Sequence, residues 1–187
     1  MKMSFSEALR LGRQRELLVA LTLRERCFFT QELGAIVEPN GGGPRAHGPY
    51  GTGIILPDLL VSRGGQTFPL EVKSKDRASP TLITGEDEHG IGQRKYLHYR
   101  AYQRETGMRL VLGIFEEYTG ELLVRSLDKL PTPRAYHGDK MDPGGMFFWP
   151  RSAFQVFAQI APPNDVPLFR GINIPPTRPL LQDLAEA

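Results

Sequence analysis

Cysteine is almost absent from this chain of 187 residues, with Cys27 the only one. That excludes a disulfide framework, and any cysteine-rich zinc or iron–sulfur site built by this chain alone. It suits a reducing compartment. Long apolar runs are missing too: none approaches the roughly 20 residues that cross a bilayer. No charged-then-apolar-then-small pattern opens the sequence. The expectation is a soluble, cytoplasmic protein with no membrane partner. Charge of one sign is also scarce. Lys and Arg number 23 against 21 Asp and Glu, a net +2 that by itself argues for no nucleic-acid partner. No internal repeat or low-complexity tract appears. Length and composition fit one globular domain with room for an appendage.

The informative stretch is Pro57-Asp58-Leu59-Leu60-Val61-Ser62 followed by Thr67-Phe68-Pro69-Leu70-Glu71-Val72-Lys73-Ser74-Lys75. Gly64-Gly65 between them is a hairpin signal. Alternation on the second strand puts Phe68, Leu70 and Val72 on one face, and Glu71, Lys73 and Lys75 on the other, pointing out of the core. Asp58 heads the neighbouring strand within reach of Glu71. Two carboxylates and a lysine there suit a hard cation and phosphate chemistry. Asp58 and Glu71 are candidate ligands, the Val72 carbonyl a third, and Lys73 is placed to orient or deprotonate a water.

A helix is expected from Ser4, with Ser4 and Glu7 as a capping box. Its apolar stripe runs through Phe5, Leu9, Gly12, Val19, Ala20, Leu23 and Cys27, and Glu16 falls in the middle of it. A carboxylate there is either paired or metal-bound. Alternatively, the stripe turns toward Leu11, Leu18 and Leu21 and leaves Glu16 at an edge.

Residues 28–38 read as a strand around Ala35-Ile36-Val37. Residues 39–53 read as a Gly/Pro loop without regular structure; Arg45, His47 and Tyr50 on it could touch a phosphate or base, although a lone loop histidine is usually just exposed. Residues 76–92 read as a polar, broken segment with Glu86-Asp87-Glu88 solvated.

A second helix, about 91–106, interleaves Arg94, Lys95, Arg100 and Arg104 with Tyr96, Tyr99 and Tyr102. That pattern fits phosphate contact with stacking, and equally an ordinary amphipathic helix. Gly107 stops it. Strands follow at Arg109–Phe115 and Glu121–Arg125, then a short one at Met146–Trp149. A helix is expected from Pro150 to about Ile160, then a proline-rich arm over 161–187. The element order is that of an α/β core with a mixed sheet over 1–130, and a C-terminal extension over 131–187.

Pro57-Asp58 with Glu71-Val72-Lys73 resembles the signature of the PD-(D/E)xK nuclease superfamily, and more closely the archaeal-type Holliday junction resolvases. Gly12-Arg-Gln-Arg-Glu16 is similar to their first-helix Gly-x-x-x-Glu, Glu71–Ser74 to their Glu-x-Lys-Ser, and Gln93 to a glutamine opening their next helix. The resemblance spans about residues 5–130. It implies a restriction-endonuclease-like fold, a mixed sheet flanked by helices in the order α-β-β-β-α-β-β. It also implies Mg²⁺, with Mn²⁺ as a substitute, on Glu16, Asp58, Glu71 and the Val72 carbonyl, with Lys73 catalytic and Gln93 accessory. DNA would then be the partner, contacted by Arg13, Arg45, Thr52, Ser74, Lys75, Arg94, Lys95 and Arg100. A homodimer would nick a four-way junction symmetrically. The family's loop serine has no counterpart between Gln31 and Pro57, where Thr52 is the substitute hydroxyl. The alternatives are another deoxyribonuclease of the superfamily, acting on linear, flapped or single-stranded DNA, and a DNA-binding subunit that does not cut.

Overall fold

The computed structural model describes residues 5–33, 45–47, 53–81, 83–138 and 144–160. Helix α1 (Phe5–Glu25) precedes β1 (Phe29–Glu32), then β2 (Arg45–His47) and β3 (Gly53–Ile55). Strands β4 (Leu59–Arg63) and β5 (Gln66–Lys75) follow, then β6 (Ser79–Pro80) and β7 (Asp87–Gly92). Helix α2 (Gln93–Thr106) leads to β8 (Val111–Glu116) and β9 (Glu121–Ser126). Three more strands close the described chain: β10 (Arg134–Tyr136), β11 (Met146–Pro150) and β12 (Gln155–Gln159).

The main sheet has the order β1-β4-β5-β8-β9-β12. Every pairing in it is antiparallel except β5 with β8. A parallel pair needs a crossover, and β6, β7 and α2 supply it. The fold is therefore mixed α/β. Both faces of the sheet are covered, which is why β8 reads as an unbroken buried run, VLGIFE. On one face, Val19, Ala20 and Leu23 of α1 meet Leu70, Val72 and Phe115. On the other, Tyr99 and Tyr102 of α2 meet Leu112, Ile114 and Leu123.

The β4–β5 hairpin forms as expected. Gly64 and Gly65 take φ of 58° and 81°, the two left-handed residues a type I′ turn requires. Helix α2 ends at Gly107 in the left-handed region, whose N–H donates to the Gln103 carbonyl. No helix among the described residues is long and apolar enough to cross a membrane.

Several elements differ from the sequence expectation. Helix α1 stops at Glu25, so Cys27 is not on its stripe but exposed at φ 65°. The capping residue Ser4 and the expected strand centre Ala35–Val37 lie outside the described residues. The Gly/Pro loop carries regular structure after all, because β2 pairs with β3. Residues 76–92 are a solvated loop only in part: Glu86 and Asp87 are exposed as expected. They hold β6 and β7, and Glu88 is buried because Arg134 and the hydroxyls of Thr81 and Thr84 donate to its carboxylate.

No α-helix forms over residues 150–160. A single 3-10 turn, Arg151–Ala153, gives way to β12, which fills the open edge of β9. A register shift between Val156 and Ala158 places both Phe157 and Ala158 in the core. Gly120 fixes this edge, its carbonyl accepting the Ile160 N–H at 2.6 Å. Strand β11 pairs with β7 in a second sheet, β10-β11-β7-β6. Residues 134–160 thus contribute strands to both sheets.

Candidate active site

Antiparallel pairing of β4 to β5 ends at Leu59 opposite Leu70, while β5 runs five residues further beside β8. The Val72 N–H faces the gap that β4 leaves. Asp58, one residue before β4, fills it, its Oδ2 accepting that N–H at 2.7 Å. The site lies where one strand stops and its neighbour continues.

Glu71 does not point out of the core, as alternation alone implied. It is 3 % exposed, because α2 covers that face of β5. Its Oε1 accepts from Lys73 Nζ and from the Tyr99 hydroxyl, the latter at 2.5 Å. Its Oε2 is buried with no hydrogen-bond partner. Lys73 Nζ also donates to the Val72 carbonyl at 3.3 Å. Burial alone would lower the Lys73 pKa, but Glu71, Tyr99 and Asp58 outweigh it and hold the ammonium well above its ordinary value. Burial first, then the Glu71 charge, pushes the Asp58 carboxyl up to about 8. Burial also raises Glu16, with Lys73 opposing.

Glu16 approaches from α1 and separates two hollows. One, of about 180 Å³, is lined by Arg13, Glu16, Glu32 and Asp58. The other, of about 340 Å³, is lined by Gly12, Arg15, Glu16, Lys73, Ser74 and Glu117. Lys95 stands close enough to the cluster that Lys73 lowers its pKa. Burial, with Lys73 and Lys95 behind it, does the same to Lys75.

Comparison with known proteins gives likenesses of shape. No family model matches the sequence, and no curated protein does. Nineteen chains of solved structures match. The Holliday junction resolvase of Archaeoglobus fulgidus, an archaeal hyperthermophile, is similar at a TM-score of 0.48 and 12% identity, covering 78% of this chain and 91% of that one. A nuclease from a fusselovirus is similar at a TM-score of 0.42 and 11% identity, covering 83% of this chain and 89% of that one.

The other expected site residues divide. Arg13 lines the smaller hollow, and Arg94 is exposed on the first turn of α2. Arg45 lies on β2, its side chain packed beside Gly53. Arg100 instead pairs with Asp128 at 2.9 Å, and the Ser74 hydroxyl donates to Glu117, which also pairs with Arg15. Gln93 donates to the carbonyls of Tyr136 at 2.9 Å and Met146 at 3.4 Å. None of its hydrogen bonds reaches the carboxylates, because the first turn of α2 is stapled to the β10–β11 connection. Thr52 and Tyr50 lie outside the described residues, as does the His47 side chain.

Two residues at the site escaped the sequence reading. Glu32 adds an acid to the smaller hollow. Tyr99 is not an interleaved stacking group but a buried donor to Glu71. A signal for it existed: a tyrosine on the buried face of a helix needs a partner for its hydroxyl, and the strand below carries a glutamate.

Among the described residues no three Asp, Glu, His or Cys side chains already form a metal cage. The donors nonetheless fit a hard divalent cation. They are oxygens throughout, and Glu71 Oε2 is a buried acceptor left bare, which costs about 1–3 kcal/mol unless something binds it. The Lys73 ammonium meanwhile rests on Glu71 Oε1 and the Val72 carbonyl, two oxygens of the expected ligand set.

Proposed function

We propose that the protein is a Mg²⁺-dependent DNA endonuclease that resolves four-way junctions by paired symmetric nicks. The observation that carries this reading is the unpartnered Oε2 of Glu71, buried where Asp58 and Lys73 converge. Glu71, Asp58, Glu16 and the Val72 carbonyl would hold the cation. Bound there, a divalent ion supplies a water of lowered pKa and neutralises charge developing on the phosphate.

The residues do the rest. Asp58 keeps one oxygen on the Val72 N–H, so the ligand set is fixed to the backbone of β5. Lys73, hydrogen-bonded to Glu71 and the Val72 carbonyl, would donate to a phosphate oxygen or orient the water. Arg13 on the smaller hollow, Lys75 and Lys95 near Lys73, and the exposed Arg94 would contact the DNA backbone, which would make affinity salt-dependent. Arg45 extends that set. Symmetric cuts require two sites related by a two-fold axis, hence a homodimer.

The test is cleavage of a labelled four-way junction beside a linear duplex of the same sequences. Paired nicks confined to the junction, and only with Mg²⁺ or Mn²⁺, are expected. Equal cutting of both substrates would move the assignment to a general deoxyribonuclease. Binding without cutting in either metal would overturn it.

A further inference from the structure

Helix α2 lays Tyr99 against the face of β5 that carries Glu71, and the two residues are 1 % and 3 % exposed. The tyrosine has one hydrogen to give, and gives it to Glu71 Oε1 at 2.5 Å. Lys73 Nζ donates to the same oxygen and lies 5.9 Å from the centroid of the tyrosine ring. Both available donors therefore converge on Oε1, and Oε2 keeps none. A buried carboxylate oxygen left without a donor is an exception that calls for an explanation.

We propose that Tyr99 is a positioning residue: its hydroxyl holds Glu71 Oε1, fixing the carboxylate rotamer so that Oε2 stays free to bind a divalent cation. The assignment rests on the metal-site reading above and adds to it the residue that orients the ligand. Glu71 is held by two donors, Lys73 on a long unbranched side chain and Tyr99 on a buried ring. The Tyr99 ring is wedged between α2 and β5, so its oxygen is a rigid anchor. Outer groups of this kind set both the orientation and the basicity of a ligand, and losing one costs about 10–100-fold in metal affinity or activity.

Tyr99→Phe removes only the hydroxyl and keeps the ring's packing. Mn²⁺ affinity is measured on the full chain by calorimetry and by the electron spin resonance of free Mn²⁺, with Tyr102→Phe, from the same buried face of α2, as control. The expected result is about a tenfold or greater loss of affinity for Tyr99→Phe alone. The Mg²⁺ concentration for half-maximal cleavage should rise in step, with turnover recovered at saturating Mg²⁺. A purely structural tyrosine would lower the metal-free unfolding midpoint and leave Mn²⁺ affinity within about twofold of wild type. That outcome, or an equal loss in Tyr102→Phe, overturns the assignment. Wild-type protein that takes up no Mn²⁺ would overturn the metal site itself, and is told apart by failing before any variant is compared.

Discussion

Replacing Asp58 by asparagine is expected to stabilise the metal-free protein at pH 8 relative to pH 6.5. Burial and the Glu71 charge push this carboxyl from 3.8 up to about 8. Across the interval the folded state holds a proton that the unfolded chain has already released, so folding stability falls as pH rises. Asparagine has nothing to release, and its carbonyl can still accept the Val72 N–H. Over pH 6.5 to 8 the titration of one such proton amounts to about 1.6 kcal/mol, from 1.36 kcal/mol per unit weighted by the fraction protonated. Burial depresses His89 and His98, which works in the opposite sense near pH 6.5. Those contributions are common to both proteins and cancel in the difference. Urea denaturation in EDTA at four pH values measures it. A wild-type-minus-variant difference that stays constant from pH 6.5 to 8 would refute the reasoning. Because a cation competes with the proton, millimolar Mg²⁺ should raise wild-type stability at pH 8 more than that of the variant.

Two other substitutions test other parts of the picture. Lys73→Ala should lose at least about 100-fold in cleavage, on the scale set by removing one charge-stabilising donor from a site, while Mn²⁺ still binds; retained turnover in a single-turnover assay would remove Lys73 from the chemistry. Gly120→Ala should cost about 2 kcal/mol or more in urea denaturation, because the residue has φ +71° and a Cβ would lie 2.4 Å from the Ile160 carbonyl. An unchanged midpoint would mean that β12 is not held by that turn.

What could be read from the sequence was local. The β4–β5 hairpin announced itself through Gly64-Gly65 and strict alternation, β8 through an apolar run bounded by turn residues, and the end of α2 through Gly107. Asp58, Glu71 and Lys73 are legible together because Asp58 directly precedes β4 and the other two lie on β5. Misreadings came where a distant partner decided the outcome. Glu88 reads as one acid among three until Arg134, 46 residues on, arrives beside it. The segment after Pro150 reads as a helix, and only the open edge of β9 makes it a strand. Glu71 illustrates the same limit: alternation put it opposite Leu70 correctly, but only α2 shows that both faces are buried.

The position of the cluster follows from the sheet itself. A strand that outruns its neighbour exposes backbone N–H groups, and at Val72 this is met by an aspartate rather than by water or a further strand. An acid there caps the backbone and leaves a second oxygen for a ligand, which a serine or asparagine would do without charge. Burial then makes the charge costly, as the rise of Asp58 to about 8 records. Lys73, two residues past Glu71 and on the same face, offsets part of that cost with its ammonium. Lys73 thus meets Glu71 through a shared hydrogen bond and acts on Asp58 through its charge alone. On the proposed reading, Glu71 Oε2 would hold a cation without disturbing the hydrogen bond from Lys73 to Oε1, so Lys73 would remain available to a phosphate.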